Sequence, residues 1–161
     1  MEIERRWLCE QWPDVRPDTV LDMEQGYVTV DPAVRVRREQ RRGEESFFRL
    51  CLKRGVGLSR AEVEFSISEE NYRRVETFID APFIRKEQRR YTLPGGYVLE
   101  FNQVDPDRPE GYFYAEVEFP TEAEALAWKP GPWARCLGRE VTEEPQESMA
   151  AYWDRTRKKR A

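Results

Sequence analysis

Three short runs in this chain, Glu2-Ile3-Glu4, Glu62-Val63-Glu64 and Glu116-Val117-Glu118, set two carboxylates one residue apart within strand-forming stretches. Side chains alternate faces along a β-strand, so each pair must project from the same side of its sheet. Acidic rows gathered on one face repel one another unless cations stand among them. The same alternation supplies those cations: Arg6, Arg35 and Arg37, Arg49 and Lys53, and Arg90. An open sheet with one solvated face shows a similar local pattern. A solvated face mixes signs, however, whereas here whole strands read as acidic or as basic. About eight strands are legible, and a barrel of roughly that size encloses room for side chains or one small ligand. A charged interior of segregated sign suits a polyanion and its metal ions.

Composition narrows the chemistry. With 161 residues the chain is long enough for one domain with a real core and too short for two. Its 27 basic and 31 acidic side chains nearly cancel, which gives no general reason to expect a nucleic-acid partner. It contains no histidine, which excludes a Ser-His-Asp or Cys-His centre, a His base and a His-ligated metal. Cys9, Cys51 and Cys136 are scattered and odd in number. That is the pattern of reduced thiols in a cytoplasmic protein, not of a disulfide framework or a zinc site. The charged start and the lack of a long apolar run argue against a signal peptide or membrane span.

Strands are expected over Glu2 to Cys9, Val20 to Val30, Ala33 to Arg38, Ser46 to Lys53, Ala61 to Ile67, Phe83 to Leu93, Tyr97 to Gln103 and Tyr112 to Phe119. Asp31-Pro32 and Pro94-Gly95-Gly96 are turn signals. Glu39 to Glu45 reads as a charged hairpin tip, and Trp12 to Asp18 as a short helix or turn. Ser68 caps a helix whose Tyr72, Val75, Phe78 and Ile79 share one face. Thr121 caps a short helix carrying Ala125, Leu126 and Trp128, and a last helix is expected around Met149 to Trp153. The fold class is α+β, mainly antiparallel β: an eight-stranded closed or nearly closed barrel with a few flanking helices.

Taken in order, these motifs resemble the CYTH domains, also called triphosphate tunnel metalloenzymes. That family includes inorganic and thiamine triphosphatases and class IV adenylyl cyclases. Its N-terminal Glu-x-Glu-x-Lys corresponds to Glu2-Ile3-Glu4-Arg5-Arg6. The likeness continues through Gln25-Gly26-Tyr27, Val34-Arg35-Val36-Arg37, Leu52-Lys53, Glu62-Val63-Glu64, Arg90-Tyr91 and Ala115-Glu116-Val117-Glu118-Phe119. It ends with Pro132-Trp133 and Leu137-Gly138-Arg139-Glu140-Val141-Thr142. The resemblance implies a tunnel domain over residues 1–145, with a C-terminal helix and basic tail, 146–161, as part of the same domain.

The resemblance also implies Mg²⁺ or Mn²⁺ held by Glu2, Glu4, Glu100, Glu116 and Glu118, since hard divalent cations take oxygen ligands. Arg6, Arg35, Arg37, Lys53, Lys86 and Arg90 would grip phosphate oxygens. Glu62 and Glu64 would bind a second ion or orient the attacking water. The implied reaction is metal-dependent hydrolysis of a small-molecule triphosphate or polyphosphate. A class IV-type adenylyl cyclase and a non-catalytic polyphosphate-binding domain are the alternatives. Two positions depart from the family: Arg6 replaces a lysine and cannot in practice lose its proton, and the lysine of Lys-x-Arg-Tyr falls on Gln88.

Other features read more plainly. Trp7, Trp12, Trp128, Trp133 and Trp153 suit packing better than ligand stacking. The basic run from Arg155 to Arg160 reads as a solvated terminus, not a nucleic-acid patch.

Overall fold

The computed structural model describes residues 1–157, so Lys158 to Arg160 of the basic tail lie outside the described residues. The strands are β1 (Glu2–Cys9), β2 (Thr19–Val30), β3 (Ala33–Arg41), β4 (Ser46–Arg54), β5 (Ser59–Ser66), β6 (Ile84–Thr92), β7 (Val98–Val104) and β8 (Tyr112–Glu118). They form a closed antiparallel barrel in the order β1-β5-β4-β3-β2-β6-β7-β8. Three α-helices flank it: α1 (Glu69–Ile79), α2 (Glu122–Ala127) and α3 (Met149–Arg157).

The barrel is charged inside, and its outer wall is apolar where α2 and the 128–137 segment cover it. Trp7, Leu99, Phe101, Ala115 and Val117 are buried on the outer wall beneath α2 and the 128–137 segment. Their even-numbered neighbours on the strands point inward. A second cluster, with Ile84, Tyr114, Met149, Tyr152 and Trp153, seats α3 against one end of the barrel. Helix α1 begins where the Ser68 hydroxyl accepts from the Asn71 N–H at 3.1 Å, and it buries Tyr72 against Phe48 and Phe83.

The seam between β1 and β5 is short, pairing only Glu2 with Arg60 and Ile3 with Ser59. Residues 138–142 complete it. Gly138 N–H donates to the Leu8 carbonyl at 2.9 Å, Leu8 N–H to Arg139 at 2.9 Å, and Val141 N–H to Arg6 at 2.8 Å. Glu140 also binds Arg5 through both carboxylate oxygens, at 3.0 and 2.8 Å. The Leu137 to Thr142 motif therefore straps β1 in place.

Several local expectations need correction. Strand β3 runs on to Arg41, so Glu39 is a buried inward residue instead of part of a hairpin tip. Arg38 is half-buried and paired with Glu24. Glu39 on β3, Arg6 on β1 and Arg60 on β5 all break the expectation that each strand carries one sign. The stretch from Trp12 to Asp18 contains no helix, and Leu126 of α2 faces solvent.

Candidate active site

Register across the barrel brings the charged rows together. Glu4 lies opposite Glu118 and Arg6 opposite Glu116, Lys53 opposite Glu62, Arg37 opposite Arg49, and Glu100 opposite both Arg90 and Glu116. All the residues singled out above for metal, substrate or water line one cavity of about 1140 Å³ inside the barrel. Arg85 and Arg89, by contrast, point outward: Arg85 is exposed at 73%, and Arg89 stacks on Trp12 with its guanidinium carbon 3.8 Å from the ring centre.

Ion pairs knit this interior. Lys53 Nζ stands 2.9 Å from Glu2 and 3.4 Å from Glu62. Arg60 bridges Glu2, at 3.4 Å, and Glu4. Arg37 and Arg49 share Glu39 and Glu64, at 2.6 to 3.7 Å. Arg90 reaches Glu100 at 3.7 Å. Arg6 reaches Glu116 at 3.2 Å and lies over the Tyr114 ring, 3.7 Å from its centre. Two basic side chains of the inner wall, Arg35 and Lys86, stay outside the network. Among the described residues, neither Arg35 nor Lys86 has a carboxylate oxygen within 4.0 Å. Arg35 faces Tyr27 and leaves its Nε unpartnered, and Lys86 Nζ meets the Tyr114 hydroxyl at 2.8 Å.

The carboxyls are crowded. Glu4 and Glu116 are close enough to influence each other's protonation, as are Glu2 and Glu62. Burial, then the charges of Glu116 and Glu2, raise the Glu4 carboxyl well above the usual range. Burial also works against the Glu116 charge, but Arg6 and the Glu4 carboxyl hold it low. Glu118 is raised by burial and by Glu2 and Glu62, and Glu100 by burial and by Glu116. Like-charged groups this close accept shared protons or a cation.

Two donor sets can be compared for a metal. Glu2, Glu4, Glu116 and Glu118 offer only hard oxygens, as Mg²⁺ or Mn²⁺ requires. The ligand atoms of Cys51, Glu62 and Glu64 lie within 4.8 Å of one another, but burial raises the Cys51 thiol, which disfavours the thiolate a metal needs. Among the described residues no three of Glu2, Glu4, Glu116 and Glu118 meet that spacing, so the all-carboxylate set is favoured by its donor chemistry and not by its geometry.

Arg60, Glu39, Cys51 and Tyr114 were not assigned roles from sequence, although they share the cavity. Strand parity was the available signal. Arg60 shares a face with Glu62 and Glu64, and Tyr114 with Glu116 and Glu118.

The chain is a closed eight-stranded barrel with acidic and basic rows facing a common tunnel, and in this it is similar to the triphosphate tunnel, or CYTH, proteins. No known protein-family profile matches the sequence, and no curated protein does. Solved structures do match. The inorganic triphosphatase NE1496 is similar over 94% of this chain and 93% of that chain, with 27% identity and a TM-score of 0.59. The PH1819 protein from Pyrococcus horikoshii OT3 covers 78% and 82% of the two chains at 16% identity and TM-score 0.56. HpAC1 from Hippeastrum, described by its dominant triphosphatase activity, covers 84% and 87% at 15% identity and TM-score 0.53. These last two likenesses concern the fold alone. Among the described residues, no helix is long and apolar enough to cross a membrane.

Proposed function

We propose that this protein hydrolyses a triphosphate inside its tunnel, with Mg²⁺ or Mn²⁺ held by Glu2, Glu4, Glu116 and Glu118 and with Glu100 at the edge of that group. The observation that carries the reading is a pair of basic side chains, half-buried Arg35 and buried Lys86, which lack carboxylate partners and share a cavity with a crowded carboxyl group. Buried charge without a counter-ion is costly, and a phosphate chain would supply both the missing anion and the bridge to a metal. Likeness to the inorganic triphosphatase NE1496 supports the same reading.

In this proposal Arg35, Arg37, Lys53, Lys86 and Arg90 bind phosphate oxygens, the arginines as forks and the lysines as point charges. Glu62 and Glu64 orient a water for in-line attack on the terminal phosphorus. A divalent metal held by Glu2, Glu4, Glu116 and Glu118 would neutralise charge on the phosphate oxygens as water bonds to the terminal phosphorus and the bridging P–O bond breaks, releasing orthophosphate and the shortened chain. Phosphoryl transfer depends on positioning and charge, so a chain without histidine can support it. Arg6 keeps a second reading in view, a polyphosphate-binding domain with little turnover, because arginine gives no proton acceptor where the family has lysine.

The decisive assay is phosphate release from tripolyphosphate with Mg²⁺ or Mn²⁺ titrated in. Metal-dependent release that is lost in Glu4→Ala supports the hydrolase. Tight binding without release would leave the binding domain, and neither binding nor release would end both readings. Cyclic nucleotide formation from ATP tests the cyclase alternative in the same preparation.

A further inference from the structure

Lys86 is only 6% exposed, yet its amine has one polar partner among the described residues, the Tyr114 hydroxyl at 2.8 Å. Tyr114 is approached by two cations at once: the Arg6 guanidinium carbon lies 3.7 Å from the ring centre and Lys86 Nζ 5.5 Å from it. Strand β3 adds Arg35 and Arg37 to this region, β2 adds Tyr27, and β7 and β8 add Glu100 and Glu116. Farther round the wall stand Lys53 and Glu62 of β4 and β5, and Asp154 of α3. The two nearest acids are already engaged, Glu116 by Arg6 at 3.2 Å and Glu100 by Arg90 at 3.7 Å.

A buried ammonium that faces guanidinium groups and has no counter-ion is strongly disfavoured. Lysine escapes that cost by losing its proton, which arginine cannot do. A neutral amine accepts from the Tyr114 O–H and an ammonium donates to the same oxygen, so the 2.8 Å contact serves either state.

We propose that Lys86 is an uncharged amine in the free protein and takes up one proton from solvent when a phosphate chain enters, becoming an ammonium that clamps the anion. This rests on the triphosphate reading above and adds to it a proton-coupled binding residue. Burial first, and then Arg35 and Arg37, hold the proton affinity of Lys86 well below that of an ordinary lysine. An entering polyanion reverses the sign of that field, so binding of ligand and proton reinforce each other.

The experiment is carbon NMR of protein labelled at the lysine Cε, without divalent metal and at about pH 8, where an ordinary lysine is charged. The labels fall on Lys53, Lys86, Lys129, Lys158 and Lys159, and Lys86→Arg assigns the resonance of interest. If the arginine does not fold in that space, Lys86→Met makes the same assignment. The Lys86 signal should sit at the neutral-amine position in the free protein and move to the ammonium position on saturation with tripolyphosphate. Lys53, paired with Glu2 and Glu62, should stay at the ammonium position throughout. A Lys86 signal already charged before ligand, or one unmoved while calorimetry shows the tunnel filled, overturns this proposal alone. Absence of tripolyphosphate binding in the calorimetry, repeated with Mg²⁺ or Mn²⁺ present, removes the triphosphate reading along with it.

Discussion

Arg157 and Asp105 meet at 2.6 Å with side chains 1% and 3% exposed, tying the last helix to the end of β7. Asp105 also accepts from the Tyr152 hydroxyl at 2.6 Å and from the Arg85 N–H at 3.0 Å. Arg157 spends its Nε on the Pro82 carbonyl at 3.0 Å. Every group in the knot has a partner, so removing one leaves a buried charge bare.

Asp105→Ala should therefore lower unfolding free energy by about 3–5 kcal/mol, the usual cost of breaking a buried pair. Urea denaturation checks it, and a loss under about 1 kcal/mol would show that the pair is replaceable by water. The pair also predicts a pH dependence. Burial works against the Asp105 charge, but Arg157, Tyr152 and Arg85 outweigh it and lower the carboxyl below 3.8. A depressed carboxyl contributes stability that is whole above its unfolded pKa and lost as pH falls through the folded one. Wild-type stability should thus decline more steeply than that of Asp105→Asn only below about pH 4.

Asp105 also marks the limit of what the sequence discloses. The stretch from Asp105 to Gly111 reads as a polar loop, which it is, but Arg157 lies 52 residues away and no local pattern joins them. The inward charged rows were legible because alternation is a property of the strand itself, and Glu2, Glu4, Glu116 and Glu118 kept that face in the barrel. Glu39 was misread because its charged neighbours, Arg38 to Arg42, look like a solvated turn. Its burial depends on Arg49 of the next strand, 2.6 Å away, a partner visible only once the register is known. Closure of the barrel between β1 and β5 was equally hidden, since it relies on a segment about 130 residues downstream of β1.

Arg35 separates binding from stability. It has no carboxylate partner to leave exposed, so Arg35→Met should hold or raise the thermal midpoint. Its loss should weaken tripolyphosphate binding by about 10- to 100-fold, the worth of charge-assisted hydrogen bonds to a phosphate. Calorimetry and thermal denaturation on one sample decide the matter. Unchanged affinity would take Arg35 out of the substrate site.

Arg6→Lys tests whether the native residue restrains turnover. The guanidinium now divides itself between Glu116 at 3.2 Å and Tyr112 at 3.4 Å while covering Tyr114. Lysine keeps one charge near Glu116, gives up the fork, and gains the ability to lose a proton. Metal-dependent phosphate release should rise at least about tenfold if a proton acceptor is what the site lacks. An equal or lower rate would mean that Arg6 acts through the charge and geometry it already has.

The strap on β1 gives the last test. A Cβ on Gly138 would lie 2.3 Å from the Leu8 carbonyl oxygen, a clash with backbone that only movement of the strap can relieve. Glu2, Glu4 and Arg6 stand on the strand so held, and β5 supports that edge over just two residue pairs. Gly138→Ala should cost about 1–3 kcal/mol of stability and should also lower metal-dependent turnover, because the β1 carboxyls lose their register against β8. Gly43→Ala is the control. Its φ of +84° carries backbone strain, but nothing lies within 4 Å of the added carbon, and Gly43 sits in the exposed β3–β4 turn. That variant should lose about 1 kcal/mol and keep its turnover. Equal losses of turnover in both variants would mean that stability, and not the placement of β1, sets the rate.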